Sequence, residues 1–467
     1  MKKLLILLFS LSSTLHAEVT LHRLFGSGMV LQRETEVAIW GWAEPGEQVS
    51  LTCSWNNTPI SIKADVKGDW SAKLKTEKAG GPHTIDVAGS NKITLNDVLF
   101  GEVWLASGQS NMEMPLHPVG GPYRGIHNWE EEIANANYPN LRFFQIGSIK
   151  AKDKQKRIKA GVKKKFIRQV PESKWQSCSP ETVKYFSAVA YFFARDLNEE
   201  LDVPIGIIDA SWGATYIQQW ISAEYLKQVG PDAGKSSKKT PTLIYNGMIA
   251  PLMPFTLRGA IWNQGEGNSG APENYKRLME ALVADWRSGF QRDLSFYYVQ
   301  LAPFNYNART NVALLREQQF KALSIEKSAM AVTLDIGNLK DIHPKNKQEV
   351  GRRLALCALA NDYNKKIVFS GPLYRGMEIK GSKIHLKFDH VGSGLDVFGG
   401  GELNFFEIAG KDGVLIKGNA VILGDEVLVD AATIKNPVAV RYAFKNQSTA
   451  SLINKEGLPA SSFRTDD

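Results

Sequence analysis

The sequence contains few cysteines and little that suggests a metal or a nucleic acid. Its 467 residues include three cysteines, Cys53, Cys178 and Cys357, which lie far apart. This spacing excludes a disulfide framework and a metal site, and leaves one bridge at most. Cys53 and Cys357 are predicted to be core residues of a strand and a helix. With no zinc-ligand spacing and no recognition motif, the sequence predicts no nucleic-acid partner.

Long apolar runs are also missing after the first residues. Residues 1–17 combine basic Lys2 and Lys3, the apolar run Leu4–Leu11 and a possible cleavage site at Ala17, which predicts a secretory signal. No later segment is long and apolar enough to span a bilayer. We therefore expect an exported protein, periplasmic or extracellular, without a membrane span.

The chain is basic, with a formal net charge of +8 at pH 7. The largest basic cluster extends from Lys150 to Arg168 around Lys163–Lys165. We interpret it as a solvated surface loop in preference to a patch that binds an anionic ligand. The content of 43% hydrophobic and 22% charged residues is typical of a globular chain, long enough for two or three domains.

Three regions differ in their residue pattern. Residues 18–97 alternate short apolar runs with glycine- and proline-containing turns, which predicts an N-terminal immunoglobulin-like β-sandwich. Residues 98–365 alternate strand-like apolar runs with helical patterns, which predicts an α/β domain. Residues 366–467 return to strand-like alternation with dense glycine and are predicted to be a C-terminal β-rich region. No internal repeat or low-complexity tract interrupts this organisation.

The middle region is predicted to form a five-stranded parallel sheet flanked by helices. The predicted strands are Val98–Ala106, Ile205–Ile208, Gly259–Trp262, Phe296–Leu301 and Met330–Leu334. The predicted helices are Ser187–Leu201, Glu273–Arg287, Val312–Leu323 and Gln348–Ala360. Residues 113–185 are expected to be loop-rich and to shape a site. In such sheets, functional groups lie beyond the carboxyl ends of the strands.

Two residues at these strand ends fit a nucleophile and its base. Ser110 lies in Gly108–Met112, where glycine allows a sharp turn that would expose the serine hydroxyl. The alternative is a strand-to-helix loop in which the serine caps the helix. Of the eight histidines, His343 is the one that follows a predicted core strand. Asp341 could accept a hydrogen bond from its imidazole, although this segment could also be a simple helix-entry loop.

Two further strand-exit loops could stabilise an oxyanion. Gly213, in the segment Asp209–Thr215, could present a free backbone N–H. Gln264, in the segment Trp262–Asn268, could donate from its side-chain amide. Each loop is ordinary when taken alone. Four loops with suitable chemistry at one sheet edge together favour an acyl-transfer site.

At six blocks the sequence resembles the SGNH-type hydrolases, in the branch of sialate O-acetylesterases and related carbohydrate acetylesterases. The blocks are Gly108–Met112, Ser211–Thr215, Trp262–Asn268, Asp341–Gln348, Val440–Ala443 and Gly457–Arg464. The resemblance implies a flavodoxin-like SGNH fold and a serine esterase that needs no metal or organic cofactor. It also implies the roles of four residues: Ser110 as nucleophile, His343 as base, and Gly213 and Gln264, with the Ser110 amide, as oxyanion donors.

The third member of the triad is where the sequence departs from the family pattern. The wider superfamily usually has an aspartate three residues before the histidine, where this sequence has Lys340. Asp341 stands two residues before His343 and is the expected acid. Asp335, at the end of the last predicted strand, is the alternative, and a Ser–His dyad is a further one.

The resemblance implies O-acetylated sialic acid on a glycan as the substrate. Acetylated xylan or another polysaccharide would need the same chemistry and is the nearest alternative. A non-catalytic glycan-binding protein, with two β domains around a silent α/β core, is an alternative of another class. The presence of both Ser110 and His343 argues against it, because a silent core would need neither.

Overall fold

The computed structural model describes residues 18–159, 164, 167, 173–231, 233, 239–307 and 309–466. The predicted secretory signal, residues 1–17, lies outside these residues.

The first part of the described chain consists of β-strands. They are β1 (Thr20–Leu21), β2 (Val30–Gln32), β3 (Glu36–Trp42), β4 (Gln48–Cys53), β5 (Asn56–Lys63), β6 (Asp69–Lys75), β7 (Gly80–Ala88) and β8 (Lys92–Gly108). β1, β3 and β6 form one antiparallel sheet, while β5, β4, β7 and β8 pair in series. Buried residues alternate along β3, β4 and β6, so their apolar side chains enter one shared core.

The middle part alternates strands and helices. Its strands are β9 (Tyr138–Gln145), β10 (Gln176–Cys178), β11 (Ile205–Ser211), β12 (Gly259–Asn263), β13 (Ser295–Val299) and β14 (Ser328–Ala331). Its helices are α1 (Ser110–Glu113), α2 (Trp129–Ala134), α3 (Pro180–Val183), α4 (Ala188–Leu201), α5 (Ala223–Val229), α6 (Tyr275–Phe290), α7 (Val312–Lys321) and α8 (Lys347–Asn361). Short helical turns occur at Ile217–Trp220, Tyr245–Ile249, Ala250–Leu252, Glu266–Asn268 and Ala322–Ser324. All four predicted helices are present, as α4, α6, α7 and α8.

Six strands of the central sheet run parallel, in the order β9-β11-β8-β12-β13-β14, and β10 pairs antiparallel with β9. The five predicted strands are therefore present, but the predicted number of parallel strands is wrong. The sixth, β9, lies in the stretch 113–185 that was expected to be loop-rich. Its buried run is short, Leu141–Gln145, and contains the charged Arg142. Pattern alone does not separate such a run from a loop.

The helices cover both faces of this sheet. Side chains of α4 and α8 pack with Trp104 and Ala106 of β8 on one face. Side chains of α6 and α7 share a core with Val103 and Leu105 on the other. This alternation follows from the two-residue period of a strand and accounts for the continuous burial of the second half of β8.

β8 belongs to both the N-terminal strands and the central sheet. Its 17 residues pair with β7 and β2 in the first half and with β11 and β12 in the second. The predicted domain boundary between residues 97 and 98 falls inside this continuous strand. In its middle, the buried Glu102 carboxylate accepts hydrogen bonds from Arg33 Nε (2.7 Å) and Arg258 Nε (2.9 Å). Glu102 thereby links the N-terminal strands to the start of β12.

The C-terminal part is β-rich, as predicted. Its strands are β15 (Leu373–Lys380), β16 (Lys383–Asp389), β17 (Leu395–Val397), β18 (Phe406–Gly410), β19 (Leu415–Lys417), β20 (Asn419–Leu423), β21 (Glu426–Asp430), β22 (Pro437–Tyr442), β23 (Leu452–Asn454) and β24 (Phe463–Arg464). The fully buried Arg316 of α7 donates to the carbonyls of Lys445 and Asn446. Arg464 Nε pairs with Glu317 at 2.9 Å. These contacts dock the C-terminal sheets on α7.

The three cysteines are free and buried, with Cys53 in β4 and Cys357 in α8 as predicted. Within the described ranges, no helix is long and apolar enough to cross a membrane. The same residues contain no group of three or more His, Cys, Asp or Glu side chains that could hold a metal ion.

Candidate active site

The loops that follow β8, β11 and β12 begin at the same level of the sheet, next to Gly108. The register pairs Gly108 of β8 with Ser211 of β11 and with Asn263 of β12. Beyond it, the Gln109 N–H donates to the Asn263 carbonyl (2.9 Å) and the Trp212 N–H to the Gly108 carbonyl (3.0 Å). Gly108 has a φ of +135°, and a Cβ there would overlap the Asn263 carbonyl. Only glycine can lie this close to the Asn263 backbone. The contact sets the direction in which the chain that leads to Ser110 leaves the sheet.

Ser110 is the first residue of α1 and is half-buried. The helix is capped by Gln109, whose side chain makes no capping hydrogen bond. The serine therefore does not serve as the cap, which was the alternative to a nucleophile. Its hydroxyl has no hydrogen-bond partner in the described part of the chain and is not enclosed by it. The structure leaves this hydroxyl available for reaction.

Asn111 connects α1, the helix that begins at Ser110, to two loops. Its Nδ2 donates to Glu266 Oε1 (2.5 Å) and to the Ile342 carbonyl (3.1 Å). Its Oδ1 accepts from Lys347 Nζ (2.6 Å). The loop after β12 and the segment that carries His343 are thus held against α1 by one buried amide. Asn111, Glu266 and Lys347 lie in the sequence blocks that resemble the family, but the sequence predicted no role for them.

His343 is nearly buried, and Asp341 is the carboxylate that contacts it. Asp341 Oδ1 accepts from the His343 backbone N–H (2.9 Å) and lies 3.8 Å from its Nδ1. Asp335, the alternative acid, instead holds Arg353 in two hydrogen bonds of 2.6 and 2.7 Å. Both of those side chains are almost fully buried. The ring of Tyr123 packs edge-on against the imidazole, with centroids 5.4 Å apart.

Burial, and to a smaller extent the positive charge of Lys347, lower the pKa of His343 from 6.5 to about 4, although Asp341 acts to raise it. Lys347 is itself buried, which lowers its pKa to about 7 despite the charges of Glu266 and Asp341. The imidazole is therefore neutral at neutral pH, the form that a general base requires.

Gly213 lies beside Ser110, as predicted, but its N–H already has an acceptor. It donates to Glu113 Oε2 (2.8 Å), and the Tyr123 hydroxyl donates to the same oxygen (2.6 Å). A Cβ on Gly213 would stand 3.4 Å from Ser110 Cβ, 2.8 Å from Glu113 Oε2 and 2.9 Å from the Tyr123 oxygen. Glu113 and Tyr123 were not singled out from the sequence, because their contacts with Gly213 are tertiary.

Gln264 is fully buried and its amide is engaged within the protein. Its Nε2 lies within hydrogen-bond distance of Gln109 Oε1 (3.0 Å), the Thr215 carbonyl (3.1 Å) and Asn268 Oδ1 (2.9 Å). Its Oε1 accepts from the Tyr275 hydroxyl (2.8 Å). The amide thus connects the loops that follow β8, β11 and β12 and is not presented to solvent.

The interpretation of the basic cluster as a solvated loop is wrong at Lys164. Its Nζ is fully buried and donates to Asp209 Oδ2 (2.6 Å) and to Ser211 Oγ (3.0 Å). Asp209 lies in β11, also without exposure, and a buried carboxylate requires a cation or several donors. Lys163 and Lys165 lie outside the described residues.

This chain resembles known proteins over most of its length. A family model described as "Carbohydrate esterase, sialic acid-specific acetylesterase" matches residues 100–360. Sialate O-acetylesterase of Homo sapiens is 30% identical over 400 residues, which cover 76% of this chain and 73% of that protein. That of Mus musculus is 29% identical over 434 residues, 77% of each chain. A solved carbohydrate acetylesterase from Xanthomonas citri is 37% identical, with a TM-score of 0.87 over 96% of this chain and 100% of its own.

If His343 is the base that the sequence predicts, its burial gives an unusually low acidic limit for activity. We expect kcat/KM to rise as the pH increases through about 4, because only unprotonated His343 can accept a proton. Lys347→Met removes the nearby positive charge, so the pKa of His343 and the acidic limb should move up towards 6.5. The exposed Lys340→Met serves as the control and should leave the limb unchanged. A pH–rate profile with an ester of acetate measures both, and an unmoved limb in Lys347→Met would contradict this account.

Proposed function

Because the chain belongs to the family described as carbohydrate esterase, sialic acid-specific acetylesterase, we propose that it removes O-acetyl groups from sialic acid on glycans. The resemblance seen in the sequence is confirmed, and the protein is a carbohydrate acetylesterase, a carboxylic ester hydrolase. Sialic acid as the substrate is supported by the family description and by the names of the mammalian relatives. The observation that supports the mechanism is that Gly213 lies beside Ser110 and contacts the buried Glu113, while His343 packs against Tyr123, the hydrogen-bond partner of Glu113.

The proposed reaction proceeds through an acetyl-serine. Ser110 Oγ attacks the acetyl carbonyl carbon while His343 takes the hydroxyl proton. His343 then returns this proton to the sugar oxygen as the bond between the acetyl carbon and that oxygen breaks. Water attacks the acetyl-serine with the same histidine as base, and acetate leaves as Ser110 regains its proton. Asp341 holds the His343 backbone and places its negative charge near Nδ1, where the imidazolium develops. No step requires a metal or an organic cofactor.

We propose that the oxyanion is bound by the backbone N–H groups of Ser110 and Gly213. The Gly213 N–H would be shared between Glu113 Oε2 and the oxyanion, as a three-centre hydrogen bond. Gln264 contributes through the groups that it holds, because its own amide is fully buried. It binds Gln109, which precedes Ser110, and the Thr215 carbonyl, and so keeps both loops of the oxyanion site in place.

Replacement of the nucleophile is the direct test of this mechanism. We expect Ser110→Ala to lower acetate release from p-nitrophenyl acetate by more than about 10³-fold, with an unchanged circular dichroism spectrum. A fluorophosphonate probe should label the wild-type protein and not this variant. Ser71→Ala, at an exposed position in β6, is the control and should keep full activity and labelling. Undiminished turnover by Ser110→Ala would overturn the assignment.

The substrate class is tested separately from the chemistry. We expect a higher kcat/KM for O-acetylated sialic acids than for acetylated xylo-oligosaccharides, measured as acetate release. The second candidate is an acetylated polysaccharide such as xylan, since the relative from Xanthomonas citri is described as a carbohydrate acetylesterase without mention of sialic acid. A clear preference for the xylo-oligosaccharides would favour this alternative.

The two candidate acids should respond differently to substitution. Asp341→Asn keeps an oxygen for the His343 N–H but removes the charge, so we expect kcat to fall about 10- to 100-fold with little change in stability. Asp335→Asn removes the charge nearest the buried Arg353 and leaves it Glu349, 3.4 Å away, as its ion-pair partner. This should cost at most about 3–5 kcal/mol in the free energy of unfolding and leave the kcat of folded enzyme within about threefold. Steady-state kinetics and urea unfolding distinguish them. If only Asp335→Asn loses several orders of magnitude in kcat, Asp335 is the acid.

A further inference from the structure

Glu113 and Tyr123 connect the three groups that the reaction must bring together. Glu113 ends α1, three residues after Ser110. Its Oε2 receives hydrogen bonds from the Gly213 N–H (2.8 Å) and the Tyr123 hydroxyl (2.6 Å). The Tyr123 ring also packs against the imidazole of His343, with an interplanar angle of 78°. The side chains of Glu113 and Tyr123 are 3% and 1% exposed, so water does not compete for these bonds.

We propose that Glu113 and Tyr123 are positioning residues for acyl transfer. Glu113 holds the Gly213 N–H beside the nucleophile, and Tyr123 holds both the Glu113 carboxylate and the ring of the base. The inference rests on the roles proposed above for Ser110, Gly213 and His343. It adds a physical link among them, because a single carboxylate oxygen joins the nucleophile helix to the loop after β11.

The close packing at Gly213 explains why this link matters. No side chain fits there, since even a Cβ would be within 3 Å of both Glu113 Oε2 and the Tyr123 oxygen. The position of the loop beside Ser110 is therefore set by its contact with Glu113. A displacement of about 1 Å at a reacting group can cost about 10²-fold in rate.

The charge of Glu113 depends on its neighbours. Burial is the largest influence and, with the charge of Asp209, raises the pKa of Glu113 above its ordinary value, although the charge of Lys164 and the hydrogen bonds from Tyr123 and Gly213 act to lower it. Lys164 and Asp209 form a buried ion pair at 2.6 Å and have opposite effects on the pKa of Glu113. Loss of the Tyr123 hydroxyl would therefore raise the pKa of Glu113 and favour its protonated form, a weaker acceptor for the Gly213 N–H.

Tyr123→Phe removes the hydroxyl and keeps the ring against His343. We expect kcat to fall about tenfold with KM within about threefold. We also expect a partial fall of kcat/KM, caused by protonation of Glu113 and distinct from the full loss on protonation of His343, to begin at higher pH than in wild type. Glu113→Ala should lower kcat about 100-fold. Glu113→Gln offers one amide oxygen that can accept both hydrogen bonds, and should restore kcat to within about tenfold of wild type. In the double variant with Tyr123→Phe and Glu113→Gln, this partial fall should disappear, because glutamine does not titrate.

Tyr297→Phe is the matched control. Tyr297 is a buried tyrosine whose hydroxyl donates to Asp362 at 2.5 Å, and Asp362 also binds Ser295 at the amino end of β13. The control loses the same kind of bond at the opposite sheet edge, so it should lower stability without changing kcat or the pH dependence of kcat/KM. The inference is overturned if Tyr297→Phe shows the same partial fall of kcat/KM as Tyr123→Phe, or if Tyr123→Phe matches wild type in both measures.

Two other outcomes also overturn the inference. Glu113→Gln no better than Glu113→Ala would mean that the acceptor oxygen is not what matters. Glu113→Ala faster than wild type would mean that Glu113 competes with the oxyanion for the Gly213 N–H. Ser110→Ala separates these failures from failure of the proposed function. If Ser110→Ala is inactive and Tyr123→Phe behaves as wild type, only the positioning role is lost, whereas an active Ser110→Ala removes the mechanism itself.

Discussion

The site depends on the register of β8 between its two neighbours. Gly108 faces Ser211 on one side and Asn263 on the other, so the loops that carry Ser110, Gly213 and Gln264 begin at one level. A slip of one residue would turn every side chain of β8 to the opposite face and would separate these loops. β7 and β2 hold the first half of the strand, and the buried Glu102 holds its middle. The N-terminal strands thereby stabilise the position of Ser110.

Hydrogen bonds among buried polar groups connect the loops beyond the strand ends. The Asn111 amide binds Glu266, Lys347 and the Ile342 carbonyl. The buried Gln264 amide connects the loops that follow β8, β11 and β12. Removing one member of such a network leaves another polar group buried without a partner, which costs more than the bond itself contributes. Rigidity at these positions is what electrostatic preorganisation requires. The Ser110 hydroxyl, in contrast, has no protein partner among the described residues.

Sequence patterns predicted the parts of the fold that are strongly apolar and the polar residues that follow them. β8, β11 and β12 are such strands, so Ser110 and Gly213 could be placed at one edge before any coordinates were known. β9 was missed because Arg142 interrupts its short buried run, and the side chain is neutralised there by Asp97, 45 residues away. Glu113 and Tyr123 were missed for a related reason. Their partner Gly213 lies 100 residues from Glu113, and no local pattern encodes that contact.

The burial that lowers the pKa of His343 also determines what Asp341 must do in the proposed triad, which is to stabilise the imidazolium. Burial and Lys347 keep the imidazole neutral in the free enzyme, at the expense of its strength as a base. Negative charge is therefore needed close to the ring as the imidazolium forms during attack. Asp341 binds the His343 backbone N–H, so its carboxylate moves together with the base and stays near Nδ1 at 3.8 Å. In the proposed triad, this backbone contact would take the place of the usual three-residue spacing, at which Lys340 stands, because it sets the distance between carboxylate and ring through the loop itself.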